Sequence, residues 1–370
     1  MQAAPVGPAD DYPVHQSSAP LRDPGHERNL YDRFFLNGYL ADGSLFFALA
    51  LGHYPGRNVA DAAFSVVVDG TQHNLRASRA LGADRLDTSV GPIRLTIEEP
   101  LRRVRLEIDD SGPTGAGSGM SASLTFEARG PVFQEPPFLR RSGPLVTMDY
   151  TRMTQNGAWS GTVTAAGHTV AVEPATCWGT KDRSWGFRPV GERQAGGQPE
   201  LPAFYWLWAP MNFADACGHF DVNEEPDGTR WHENAMWSAA DPAAPVEVGT
   251  ASYGIDWRSG TRHAAGAEIA LDLAGGRRQV RLTPLFNFYM QGIGYTHPTW
   301  GHGMWVGPDA RAYDSLVTAE ADAASPLHLH VQALCRLERD DGVSGVGILE
   351  QLIVGPHHPS GFKDLLDMHA

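Results

Sequence analysis

Cysteine is scarce in this chain. Cys177, Cys217 and Cys335 are an odd number at wide spacing in 370 residues. That argues against a disulfide framework or a cysteine-rich zinc module and fits a reducing, cytoplasmic compartment. Positive charge is short as well: 29 Lys and Arg face 43 Asp and Glu, a formal net charge of -14. A nucleic-acid surface or an anionic-membrane surface is therefore not expected. The first residues lack a basic start and an apolar stretch, so no secretory signal is read there. Apolar runs of spanning length are missing, so membrane insertion is not expected. There is no Walker A motif, no GxSxG elbow and no Rossmann glycine fingerprint between a strand and a helix. Nucleotide-dependent and serine-hydrolase chemistry lose support accordingly. Helical periodicity is scarce too, and the one helix expected is a short one at 362–368.

What is present is a succession of short apolar runs separated by Gly, Pro, Asn and Asp. They include 45–51, 64–68, 93–97, 104–108, 124–126, 204–208, 280–282 and 346–354. Strand-length runs with frequent turn signals predict an all-β protein of sandwich or barrel type. Residues 1–20, rich in Pro, Ala and Asp, read as a flexible N-terminal arm. The glycine-rich stretch 111–119 reads as a hairpin tip. The length predicts about two domains. A faint repeat supports this: Asn58-Val59-Ala60-Asp61-Ala62 recurs as Asn212-Phe213-Ala214-Asp215-Ala216. Each copy follows an aromatic run and precedes an Asp-Gly-Thr turn, at Asp69 and at Asp227. Two related β-domains, 21–190 and 191–370, are expected, joined in the Pro/Gly cluster at 189–202. Domain junctions are common places for ligand pockets.

Lys181-Asp182-Arg183 sits next to that junction, with Trp178 and Trp185 close by. The two cations favour an ionised Asp182, whereas burial beside an indole opposes ionisation. If burial wins, Asp182 is a proton donor for an apolar substrate. In a strand, Asp182 and Ser184 share one face and Lys181, Arg183 and Trp185 the other. The competing reading is a structural ion pair of Asp182 with Arg183 or Arg188. A second cluster spans 292–305, with Tyr295, His297, Trp300 and His302 in a Gly-rich loop. A neutral imidazole there would serve as base or relay, or simply bond to the loop backbone. Tyr205 and Leu207 face one way, and Phe204, Trp206 and Trp208 the other, as either core or pocket wall. Glu350 interrupts an apolar run; facing inward it would be a second acid/base candidate, and otherwise it faces solvent or caps an interface. His328 with His330, and His219 with Asp221 and Glu224, resemble fragments of metal sites, but with no HExxH motif no metal is predicted.

The stretches 156–163 and 181–186 resemble the tandem lipocalin-like superfamily, whose members include carotenoid 1,2-hydratase, kievitone hydratase and AttH-like proteins. Tocopherol cyclase and Diels–Alderases are more distant members. The shared pattern is a Gly-turn hairpin followed by an element here written Asp182-Arg183-Ser184-Trp185-Gly186. The segment 294–303 looks like a motif of the bacterial branch. The resemblance implies two β-barrel-like domains and an apolar ligand. It also implies hydration or cyclisation of isoprenoid double bonds without an organic cofactor. Lys181 and Arg183 depart from the family, which often has histidines there.

Two functions are therefore carried forward. The first is a cofactor-independent hydratase, lyase or isomerase on a hydrophobic isoprenoid-like or aromatic compound. Asp182, His297 and His302 would do the proton chemistry. Lys181, Arg183, Trp185, Arg188, Tyr205, Trp206, Trp208, Tyr295, Trp300 and Glu350 would hold the substrate. The second is a non-catalytic carrier of apolar metabolites. A homo-oligomer is compatible with either.

Overall fold

The computed structural model describes residues 6–13, 27–82, 84–112, 116–192 and 203–370. Among them the chain is all-β, with helical structure confined to short 3-10 turns. No helix among the described residues is long and apolar enough to cross a membrane. The first thirteen strands are β1 (Leu30–Leu40), β2 (Phe46–Tyr54), β3 (Val59–Val68), β4 (Thr71–Ala80), β5 (Ser89–Val90), β6 (Ile93–Glu99), β7 (Arg103–Asp109), β8 (Ser121–Ala128), β9 (Phe133–Gln134), β10 (Phe138–Ser142), β11 (Leu145–Ala165), β12 (His168–Val172) and β13 (Cys177–Phe187). They build one sheet, ordered β4-β3-β2-β1-β13-β11-β8-β7-β6-β5, with β9, β10 and β12 also on β11. The sheet curls until β5 and β6 meet β3 and β4, giving a nearly closed barrel.

The second sheet contains β14 (Phe204–Phe213), β15 (Ala216–Glu224), β16 (Arg230–Ala239), β17 (Glu247–Val248), β18 (Thr250–Trp257), β19 (Ala264–Leu273) and β20 (Gly276–Tyr289). β22 (Val331–Arg339) and β23 (Ser344–Val354) complete it, in the order β17-β16-β15-β14-β23-β22-β20-β19-β18. The intervening β21 (Asp309–Val317) instead returns to the first sheet and pairs antiparallel with β4 along its edge. The repeated sequence marks equivalent hairpins, β2–β3 in one sheet and β14–β15 in the other.

Strand alternation creates three large apolar clusters among the described residues, beside a small one of Phe133, Cys217 and Met236. Phe34, Leu36, Phe47, Leu49, Phe64 and Trp159 fill the first barrel. Leu207, Ala209, Phe220, Ile269 and Leu349 fill a second barrel, formed where β16 of the second sheet meets β18 and β19. The third lies between the sheets and takes the opposite faces of the same strands: Tyr31, Phe35 and Tyr39 of β1, Trp206 and Trp208 of β14, and Ile348 of β23. Central strands are thus covered on both sides, which explains why they read as continuous apolar runs. Any polar side chain on their inter-sheet face is forced into a buried seam.

Two expectations need correction here. Residues 362–368 form no helix. Asp367 accepts hydrogen bonds from the amides of Lys363 and Asp364, and Arg262 donates to the carbonyls of Asp364 and Asp367. Such side-chain bonds take up the backbone groups that a helix would need. Residues 6–13 of the expected arm are packed rather than loose, with Asp10 and Asp11 buried. The remainder of the arm, residues 113–115 of the glycine-rich tip and most of the 189–202 junction lie outside the described residues.

Candidate functional site in the seam between the sheets

Asp182 reaches the seam because β13 places its even-numbered residues there, next to β11. Its carboxylate is paired with Arg152, whose Nε donates to Oδ2 at 2.6 Å and whose Nη2 meets the same oxygen. The partner is thus neither Arg183 nor Arg188. Arg152 also lies 3.6 Å from Glu135 and rests over the rings of Trp206 and Trp208, at 4.9 and 5.1 Å. Burial raises the Asp182 pKa, with Arg152 opposing and the nearby Glu135 and Glu350 adding to the rise.

Lys181 and Arg183 point the other way. The Lys181 ammonium donates to both oxygens of Asp11 at 2.9 Å. Arg183 donates to Asp32 at 2.6 Å and to the Arg33 carbonyl at 2.9 Å, and stacks 3.6 Å over Phe34. Both cations serve buried structure, so the expectation that they orient Asp182 or hold a substrate is corrected. Trp185 is buried on that same face, away from the seam. Tyr205 belongs to the second barrel's core and stacks on His357 at 3.8 Å. These corrections share a cause: period-two alternation sends neighbouring residues of one motif to opposite sides of a sheet.

Glu350, on β23, does enter the seam. Its Oε1 accepts from Trp206 Nε1 at 3.1 Å and lies 2.8 Å from His330 Nε2, while Oε2 accepts from Gln332 at 2.6 Å. Gln332 in turn accepts from Asn37 of β1, so the network spans both sheets. Burial would raise the Glu350 pKa, but the His330 bond, Arg152 and Gln332 outweigh it and hold the carboxyl down to about 2. With Nε2 committed to Glu350, His330 keeps a buried Nδ1 that has no hydrogen-bond partner among the described residues.

Above His330 stand Tyr295 and His302. Tyr295 packs edge-on against both imidazoles, 4.4 Å from His330 and 4.6 Å from His302. The Arg33 guanidinium lies 4.5 Å from the Tyr295 ring. Arg33 is 2 % exposed, and none of its three guanidinium nitrogens has a hydrogen-bond partner among the described residues. Burial, followed by the charges of Arg33 and Arg188, holds His302 well below its ordinary pKa, so its ring is neutral. Its Nε2 is buried and has no hydrogen-bond partner among the described residues. Arg188 covers the Tyr31 ring at 4.5 Å. Asp61 accepts from the Gly303 amide at 2.7 Å and the Tyr54 hydroxyl at 3.3 Å, and burial pushes its pKa up to about 6.

His297 is placed differently. Its Nδ1 accepts from the amides of Thr299 and Trp300, at 3.2 and 2.9 Å, and shapes the loop. The charges it feels are those of Arg76 and Asp314, at the β4–β21 edge. Asp182 and His302 therefore share the seam, but His297 and Trp300 belong to the loop beside it. Sequence reasoning missed Arg33, Arg152 and Glu135, and it weighed His330 only as a metal fragment. The available signal was Arg33 inside an apolar strand, where an unpaired charge is costly.

A protein-family profile matches residues 6–363. The chain belongs to DUF8625, a family of unknown function. No curated protein matches this DUF8625 member in sequence. Among solved structures, an AttH candidate from Nitrosomonas europaea is 15 % identical over 87 % of this chain and 92 % of its own, with a TM-score of 0.53. Kievitone hydratase from Nectria haematococca is 13 % identical over 87 % and 88 %, with a TM-score of 0.49. The structure of CghA with Sch210972 is 12 % identical over 88 % and 89 %, also at 0.49. At such identities the AttH likeness establishes a shared lipocalin-like fold for this DUF8625 chain, and the chemistry has to be argued from the seam.

Proposed function

We propose that this protein is a lyase or isomerase of the hydratase type, acting by acid–base catalysis on a hydrophobic, isoprenoid-like or aromatic small molecule held between the sheets. The observation that carries this reading is His330: a buried imidazole fixed by an ionised Glu350 at 2.8 Å, with its other nitrogen unpartnered. A carboxylate on one nitrogen sets the tautomer and stabilises the imidazolium that forms once the other nitrogen takes a proton. His330 is thus the base. The unpartnered Arg33 guanidinium and neutral His302 supply donors for a substrate oxygen on which negative charge develops. Buried donors left unpaired cost roughly 1–3 kcal/mol each, and a polar group on a ligand would recover that loss. Trp206, Phe35 and Tyr295 provide apolar and aromatic surface around it. Asp182 acts as a positioning residue, holding Arg152 beneath the two indoles.

The test starts with ligands captured from cell extract by native mass spectrometry, then follows their conversion. His330→Asn is expected to lower kcat by about a thousandfold while ligand affinity changes less than about threefold. Wild-type turnover in that variant would remove His330 from the chemistry. One observation favours a carrier instead, namely that Asp182 is locked to Arg152. Release of every captured ligand unchanged would select that reading.

A further inference from the structure

A second polar cluster lies beside the seam and touches it through Glu135, which is 3.6 Å from Arg152. It consists of Glu135, which follows β9, Asp221 of β15 and His232 of β16, all buried. Each offers one ligating atom, and these atoms lie within 4.8 Å of one another. His219 holds the far side of both carboxylates: its Nε2 is 2.9 Å from Asp221 Oδ2 and 3.3 Å from Glu135 Oε1. Thr154 also donates to Glu135 Oε1, at 2.7 Å. What remains is one lone-pair atom per residue, namely Glu135 Oε2, Asp221 Oδ1 and His232 Nε2. Among the described residues none of the three has a well-aligned hydrogen bond, although Asp221 Oδ1 and His232 Nε2 sit at an ion-pair distance of 2.7 Å. The ring of His232 is clamped by Phe138, stacked at 3.6 Å, so its nitrogen stays aimed at the carboxylates.

Two buried carboxylate oxygens and an imidazole nitrogen thus converge on one point, while His219 and, 3.6 Å from Glu135, Arg152 hold the outer side of the carboxylates. We propose that Glu135, Asp221 and His232 bind one divalent first-row transition ion of the zinc type, and that this ion clips the first sheet to the second. The donor set selects the ion: imidazole with carboxylate suits zinc, manganese or iron, whereas calcium requires six to eight oxygens. A tetrahedral ion with bonds near 2.1 Å sets its ligands about 3.4 Å apart, so binding opens the Asp221–His232 contact slightly. His219 then has the outer-sphere role of orienting both carboxylates. The inference departs from the sequence reading, which predicted no metal.

The experiment uses the full chain, free of any histidine tag and purified without chelator. Elemental analysis is expected to give about one equivalent of a first-row metal per chain. Chelation should lower the thermal midpoint, and Zn2+, but not Mg2+, should restore it. Co2+ added to the stripped protein should give the visible absorption of a low-symmetry site. His232→Gln and Glu135→Gln should each weaken Zn2+ uptake tenfold or more. Stripped wild type that takes up neither Zn2+ nor Co2+ at micromolar concentration overturns the proposal, and that result does not depend on any variant folding. Full uptake by a folded His232→Gln protein overturns it equally, because the ion would then bind elsewhere.

Discussion

At the scale of single residues, two carboxyls on the inter-sheet faces respond to pH in opposite directions. Glu350 titrates at about 2 in the folded chain against an ordinary 4.5. Between those values the unfolded chain takes up the proton first, so the stabilisation is complete above about pH 4.5 and is lost as pH falls toward 2. The gap corresponds to roughly 3 kcal/mol. Glu350→Gln should therefore be less stable than wild type by about 2–3 kcal/mol at pH 7, the deficit shrinking toward pH 3 in urea titrations. Asp61 titrates at about 6 against an ordinary 3.8. Here the folded state binds the proton first, so stability falls as pH climbs from about 4 through 6. Asp61→Asn should gain about 1–2 kcal/mol on wild type above pH 6 and nothing below pH 4. An advantage that is flat across pH would mean that Asp61 is not held protonated by burial.

At the scale of elements, β13 and β21 are where sequence and structure inform each other most. The extended character of 177–187 and the two faces of the Lys181-Asp182-Arg183 triplet were legible from period-two geometry alone. Their partners were not, because Arg152 sits 30 residues earlier in the chain and Asp11 a further 141 before it. Gly179 shows how tightly β13 is set against β1. A Cβ there would stand 2.0 Å from the Asn37 carbonyl oxygen and 2.6 Å from Trp159 Nε1. Gly179→Ala should cost about 1–3 kcal/mol or more, measured by chemical denaturation. β21 is held to β4 by Asp314, which pairs with Arg76 at 2.6 Å and accepts from Asn74 at 2.7 Å. Asp314→Ala strands a buried guanidinium, so amide exchange should quicken in 71–80 and 309–317 and stay unchanged in β14–β16. Uniform acceleration would show instead that β21 opens only with global unfolding.

At the scale of the molecule, the apolar cluster between the sheets makes the two halves depend on each other. Tyr31, Phe35, Tyr39 and Phe46 of one half are buried against Trp206, Trp208, Phe288 and Ile348 of the other. Polar bonds run across the same surface, from Asn212 to the Tyr39 hydroxyl and from Asn156 to the Met211 carbonyl. A fragment ending at residue 192 would expose that aromatic face and the bare edge of β4. It is expected to bind apolar dyes and self-associate, whereas the full chain should unfold in one transition by both fluorescence and circular dichroism. Two well-separated transitions would contradict this coupling.

The amino-acid sequence by itself determined the all-β class, the strand periodicity, the repeated hairpins and the presence of polar residues in apolar strands. These follow from local rules, since turn chemistry and side-chain alternation act over a few residues. The tertiary structure alone decided which polar residues meet. His330 and Glu350 become a pair because β22 and β23 are antiparallel neighbours. Arg33 faces Tyr295, more than 250 residues away, because a loop of the second half closes over the first sheet. Whether a buried charge is paired or left open depends on such distant contacts. That is why Lys181 and Arg183, so prominent in the sequence, proved structural, while Arg33 and His330 line the seam.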